Sequence, residues 1–164
     1  MKTLLLMRHG KSSWKDDSIS DHERPLKKRG RRDTKRIAEE IDKNDLYPHI
    51  ILSSTAVRAK ETAEILIDTL DFENRIIFSD QLYMAEPEDF IDVLSQLNDD
   101  YETVLVIGHN PGMEALIQII EGDIECLPTA GLGHLVLAID SWQDISLDTM
   151  GDLVGLWKPS DLRE

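Results

Sequence analysis

Apolar residues recur along this chain in two interleaved patterns. Thr3-Leu4-Leu5-Leu6-Met7, Ile50-Ile51-Leu52, Ile76-Ile77-Phe78 and Thr103-Val104-Leu105-Val106-Ile107 are short runs without polar alternation, as expected of strands buried on both faces of a parallel sheet. Between them the apolar positions return every three or four residues. Gly30, Thr34, Ile37, Ala38 and Ile41 form one helical stripe between Lys27 and Asn44, and Ala59, Ala63, Leu66, Ile67 and Leu70 form another between about Ala56 and Leu70. Glu86-Pro87-Glu88-Asp89 opens a third helix that packs through Phe90, Val93, Leu94 and Leu97, and Met113, Leu116, Ile117 and Ile120 mark a fourth. Residues 122–131 carry no period and are expected to form a loop across the sheet. His134 to Ile139 and Asp152 to Trp157 read as two last strands, paired as a hairpin. This order predicts a single domain over residues 1–164: an α/β fold with three layers, α/β/α, around a mostly parallel central sheet.

Three strand ends carry the chemistry. Ligands of open α/β sheets sit outside the carboxyl ends of the strands, where Arg8 and His9 follow the first run. Gly10 is expected to let the backbone turn sharply there. After the second run, any of Ser53, Ser54 and Thr55 can serve as helix N-cap, which places Arg58 in the first helical turn. A first-turn arginine opposes the helix dipole and so calls for an anion or carboxylate nearby; an ion pair with Glu61 is the plain structural alternative. After the fourth run come Gly108-His109-Asn110-Pro111-Gly112, with Asn110 expected as N-cap, Pro111 as first helical residue, and the free amides of that helix start as an anion site. The topology therefore delivers Arg8, His9, Arg58 and His109 to one edge. Two arginines and two histidines make an electropositive pocket, and phosphate matches arginine forks. Trp14, in the aperiodic stretch before Arg24, either lines the rim or anchors its loop. His22, His49 and His134 lack a partner pattern and are expected to be structural or surface residues.

Charge narrows the partners. The formal net charge is −14, yet eight of the 18 Lys and Arg residues lie between Arg24 and Arg36. A field of that sign repels nucleic acid and anionic membrane, while the basic segment either docks an acidic partner or is a solvated helix face. No apolar run reaches the roughly 18 residues that span a bilayer. The single cysteine, Cys126, cannot form an internal disulfide, so it is expected to be a small packing residue in a reducing cytoplasm. A metallohydrolase built on His9 and His109 is disfavoured, because Arg8 and Arg58 repel a divalent cation.

Arg8-His9-Gly10 after an N-terminal strand, the segment Ser53-Ser54-Thr55-Ala56-Val57-Arg58-Ala59-Lys60-Glu61-Thr62-Ala63, and Val106-Ile107-Gly108-His109-Asn110-Pro111-Gly112 together resemble the histidine phosphatase superfamily. Arg24-Pro25-Leu26 followed by Gly30, with the short length, most resembles its SixA-type phosphohistidine phosphatase branch. The resemblance implies a phosphoglycerate mutase-like fold and a cofactor-free, metal-independent phosphatase. His9 would be the nucleophile that becomes a phosphohistidine, while Arg8, Arg58 and His109, with Asn110 beside them, would hold the phosphoryl group. Substrates would be a phosphohistidine protein or a small phosphorylated metabolite. One departure from the family pattern matters: where many relatives carry a leaving-group acid, Leu82-Tyr83-Met84 offers none, and Glu86 is the nearest substitute unless it merely serves its helix start. The missing acid favours labile P–N bonds. A broad phosphomonoesterase and a non-catalytic phosphate-binding module are the competing readings.

Overall fold

The six apolar runs become strands β1 (Lys2–Arg8), β2 (Ile50–Ser54), β3 (Arg75–Ser79), β4 (Thr103–Gly108), β5 (Leu132–Leu137) and β6 (Gly151–Trp157) of one sheet, in a computed structural model that describes residues 1–162. Their order is β3-β2-β4-β1-β5-β6. The first four are mutually parallel and the last two form an antiparallel hairpin beside β1. Helices α1 (Lys28–Lys43), α2 (Val57–Leu70), α3 (Pro87–Ser95) and α4 (Gly112–Glu121) connect them, and a short α5 (Pro159–Leu162), which periodicity did not reveal, follows β6.

The unbroken apolar runs are explained by a core on each face. Leu4 and Leu6 of β1 meet Phe90 of α3 and Met113, Leu116 and Ile117 of α4 on one side. Leu5 and Met7 meet Ile37, Ala38 and Ile41 of α1 and Ala59, Ala63 and Leu66 of α2 on the other. Each such side chain, removed from water, contributes about 1.5–3 kcal/mol. A polar residue at any of these four β1 positions would therefore face apolar packing on whichever side it pointed. Among the described residues, no helix is long and apolar enough to cross a membrane.

Several local expectations are corrected. Gly10 is needed for packing rather than for a left-handed turn: a Cβ there would lie 2.7 Å from both the Gly30 carbonyl oxygen and Thr34 Oγ1. A Cβ on Gly30 would lie 2.1 Å from the Lys11 carbonyl oxygen, so the two glycines let α1 press directly on the loop leaving β1. Ser53 and Ser54 are not caps, because β2 runs through them and buries both. The N-cap position of α2 is Ala56, with no side-chain cap bond. Asn110 is not the cap of α4 either; Pro111 holds that position, while the Asn110 amide donates to the Leu127 carbonyl at 2.8 Å. Glu86 is the N-cap residue of α3 rather than a first-turn acid. Cys126 is exposed rather than packed.

Candidate active site

At the carboxyl ends of β1, β2 and β4 the structure brings together the residues singled out from the sequence. Arg8, His9, Arg58, His109 and Asn110 line one cavity of about 280 Å³, together with Lys11, Ser12, Trp14, Asp21, Arg24, Met84 and Thr129. The rings of His9 and His109 lie 5.0 Å apart between centroids, and both are buried, as is Arg58. Trp14 therefore lines the rim. It is exposed, and its ring lies 3.5 Å from the Arg24 guanidinium.

His9 is oriented by its own backbone. Its Nδ1 sits 2.7 Å from the Gly10 carbonyl oxygen, which can only accept, so the proton resides on Nδ1 and Nε2 carries the free electron pair. Arg58 Nε donates to that Nε2 at 3.3 Å. The Gly10 segment is tied to α2 in turn: Thr62 Oγ1 accepts from the Gly10 N–H at 3.1 Å and donates to the Arg58 carbonyl at 2.7 Å. Burial, with the charges of Arg58 and Arg8 nearby, lowers the His9 imidazole from 6.5 to about 3. Burial likewise lowers His109 to about 4, with Arg58 the next cause. Both rings are thus neutral at pH 7.

Arg58 is held by the carboxylate its position called for, but that carboxylate is not Glu61. Arg58 Nη1 donates to the Asp21 carbonyl at 2.7 Å and Nη2 to Asp21 Oδ2 at 3.0 Å, whereas Glu61 accepts from the Leu26 N–H and from Arg31. Asp21 also accepts from the Tyr83 hydroxyl at 2.6 Å and Arg24 Nε at 3.1 Å. These donors, Tyr83 foremost, hold the Asp21 carboxyl down at about 2. Asp21 and Tyr83 escaped sequence reasoning. His22, expected to be structural or at the surface, bonds Thr55 Oγ1 at 3.0 Å and stands edge-on to Tyr83, a structural role behind the site.

On the opposite side, Arg8 Nη1 donates to the Leu127 carbonyl at 3.3 Å, and Glu114 offsets part of its charge. Arg8 Nε and His109 Nδ1 are buried without hydrogen-bond partners among the described residues, while His109 Nε2 pairs with Ser54 Oγ at 2.8 Å. Unpaired buried polar atoms are costly unless a ligand completes them. The start of α4 does not join this set. Pro111 and Gly112 instead line a neighbouring cavity of about 340 Å³ with Met84, Pro87 and Ala115. Among the described residues no group of three or more His, Cys, Asp or Glu side chains is arranged to hold a metal ion.

Comparison with known proteins places the chain in a family. The model of the histidine phosphatase superfamily, branch 1, matches residues 4–83. An uncharacterized protein of Mycobacterium tuberculosis is 32% identical over 150 residues, covering 85% of this chain and 91% of its own length. A SixA protein of Agrobacterium tumefaciens superposes with a TM-score of 0.83 at 25% identity, covering 96% of this chain and 98% of that one. A protein histidine phosphatase SixA complexed with tungstate gives 0.85 at 22% identity, over 98% and 99% of the two chains. On these grounds, and with SixA proteins among its structural neighbours, the chain belongs to the histidine phosphatase superfamily.

Proposed function

We propose that this protein is a phosphatase that transfers a phosphoryl group to His9 Nε2 and then hydrolyses it, with phosphohistidine as the substrate that the site fits best. The observation that carries the reading is the poise of His9: Nδ1 is fixed on the Gly10 carbonyl and Nε2 is left unprotonated beside the Arg58 guanidinium. In-line attack by Nε2 forms the new P–N bond while the substrate's P–N bond breaks. The electron pair leaves on the substrate imidazole, whose proton comes from solvent. Arg8, Arg58 and His109 meet the charge that moves onto the phosphoryl oxygens, and such preorganised donors are worth several kcal/mol in the transition state. A bound phosphate also restores the cationic form of His109, whose Nδ1 then has a partner. Water next attacks phosphorus, releasing inorganic phosphate and neutral His9.

The leaving group decides the substrate class. Among the described residues the one carboxyl lining this cavity, Asp21, is held near 2 by its donors and stays ionised at neutral pH, so it supplies no proton. An alkoxide leaving group needs such an acid; an imidazole does not. A broader phosphomonoesterase is the second reading. It is favoured by the neighbouring cavity, which shares Met84, His109 and Asn110 with the first and has Glu86 in its wall, where an organic leaving group and a proton donor have room.

Turnover of wild type and His9→Ala on phosphohistidine and on a panel of phosphate esters, with and without chelator, tests the reading. Expected are an acid-labile phosphoenzyme that disappears in His9→Ala, a preference for phosphohistidine, and no loss in chelator. Phosphate binding without any phosphoenzyme or turnover would instead leave a phosphate-binding module.

A further inference from the structure

Apart from Arg24, the basic segment is not absorbed by the phosphoryl site. At the start of α1, Lys27 occupies the N-cap position without a side-chain cap bond, and the first turn holds Lys28, Arg29 and Arg31 with no acid. Cations at the positive end of a helix dipole are unfavourable by some tenths of a kcal/mol each, so this sequence works against its own helix unless an anion sits there. Arg29 and Arg31 have internal acids, Asp33 and Glu61. Lys15, Lys27 and Lys28 form no ion pair among the described residues.

Those three lysines line one groove of about 760 Å³ with Trp14, Pro25 and Leu26. The groove adjoins the phosphoryl cavity, with Trp14 lining both. Its floor is a short ribbon: Ser12 bridges Leu26, the Ser13 N–H donates to the Pro25 carbonyl, and the Lys27 N–H donates to the Lys11 carbonyl. One face of the Trp14 ring is taken by Arg24, yet the residue is 72% exposed. A free phosphate fills only the first cavity; a polypeptide carrying it must leave along some path. An exposed aromatic between unpaired lysines offers an extended chain apolar contact and charge together.

We infer that this groove docks an acidic, extended segment of a phosphoprotein substrate, with its phosphorylated residue in the His9 cavity and its carboxylates over Lys15, Lys27 and Lys28. The inference rests on the proposed phosphohistidine reading and adds the substrate's flanking chemistry. Charge selects the partner: the chain carries −14 overall, which repels a long polyanion, while a short acidic segment meets only the local basic surface.

Synthetic phosphohistidine peptides with glutamate or with lysine flanks, free phosphohistidine, and the variant Lys15→Glu/Lys27→Glu/Lys28→Glu test it. The wild type prefers the glutamate-flanked peptide in kcat/KM, through KM, on the order of 10–100-fold, and raised salt erodes the preference. The variant loses that preference while turning over free phosphohistidine unchanged. Equal kcat/KM for both peptides in wild type overturns the docking surface, as does a single-stranded oligonucleotide that binds more tightly than the peptide and is released by the same variant. Lysine-dependent binding of the glutamate peptide without turnover of any phosphohistidine substrate supports the groove and sinks the activity assignment, so the two failures are distinguishable.

Discussion

Acidification is expected to destabilise this protein through its two buried imidazoles before it affects most carboxylates. His9 is lowered from 6.5 to about 3 and His109 from 6.5 to about 4, both chiefly by burial. Below 6.5 the unfolded chain takes up protons that the native site refuses, so their contribution to stability is full above 6.5 and is lost as pH falls toward 4 and then 3. At pH 5, linkage with these values gives about 2 kcal/mol lost for each ring, about 4 kcal/mol together, a large share of a typical domain stability of about 5–15 kcal/mol. Urea unfolding at pH 7 and pH 5, in phosphate-free buffer of constant ionic strength, measures it. The drop in wild type should exceed that in His9→Gln/His109→Gln by about 4 kcal/mol, and in each single variant by about 2 kcal/mol. Carboxylates titrate in all four proteins and cancel in the comparison. Equal drops in wild type and double variant would refute the claim that the site holds both rings neutral, and with it the account of how the attacking nitrogen stays free.

Asp21→Ala leaves Arg58 the residue-21 carbonyl and His9 Nε2 but removes its carboxylate anchor; kcat should fall on the order of 10–100-fold, since a small misplacement of a transition-state donor is costly. Its stability should fall far less, by about 1 kcal/mol, because the carboxylate is half-exposed and solvent screens the pair. Chemical denaturation beside steady-state kinetics separates the two effects. His109→Gln should lower kcat on the order of 10²–10³-fold, as loss of one transition-state donor does, and should weaken tungstate binding measured by calorimetry. Gly30→Ala gains helix propensity of about 1 kcal/mol yet should lose about 2–3 kcal/mol net, because its Cβ would meet the Lys11 backbone at 2.1 Å; a urea midpoint at or above that of wild type counts against the packing account.

What was legible in the sequence is what a single segment specifies by itself. The sheet could be read because β1, β2 and β4 are buried on both faces, and no residue in their middles needed knowledge of its neighbours. Arg8, His9 and His109 were legible for a related reason: each stands at the end of such a strand, so topology alone brings them together. Arg58 was half-legible. Its place against the helix dipole demanded an acid, but the chain has 32 acids, and Asp21 lies in an aperiodic loop whose path depends on Arg24, Tyr83 and Arg58 meeting in space. The helix caps were misread because Ser54 and Asn110 are claimed by the site, one by His109 and the other by Leu127, and that competition is tertiary.

That competition also explains how an acidic protein can keep the proposed anion pocket at all. Buried guanidinium groups need counter-charges, and a carboxylate close enough to neutralise a phosphate-binding arginine also repels the phosphate. Here the conflict is resolved by geometry. Asp21 takes the Nη atoms of Arg58 and leaves Nε toward His9, while its own charge is shared among Tyr83, Arg24 and Arg58. Glu114 acts on Arg8 electrostatically, yet its Oε2 is engaged by the Leu127 N–H at 2.6 Å. Each acid thus stabilises its arginine while spending much of its field on other donors, and of the three cavity-lining side-chain atoms buried without partners among the described residues, Arg8 Nε and His109 Nδ1 are able to donate while Asn110 Oδ1 only accepts. An incoming phosphoryl group therefore meets unsatisfied donors before it meets an unshared carboxylate, and replacing Tyr83 with Phe, which frees Asp21, should weaken oxyanion binding without touching any group that contacts the anion.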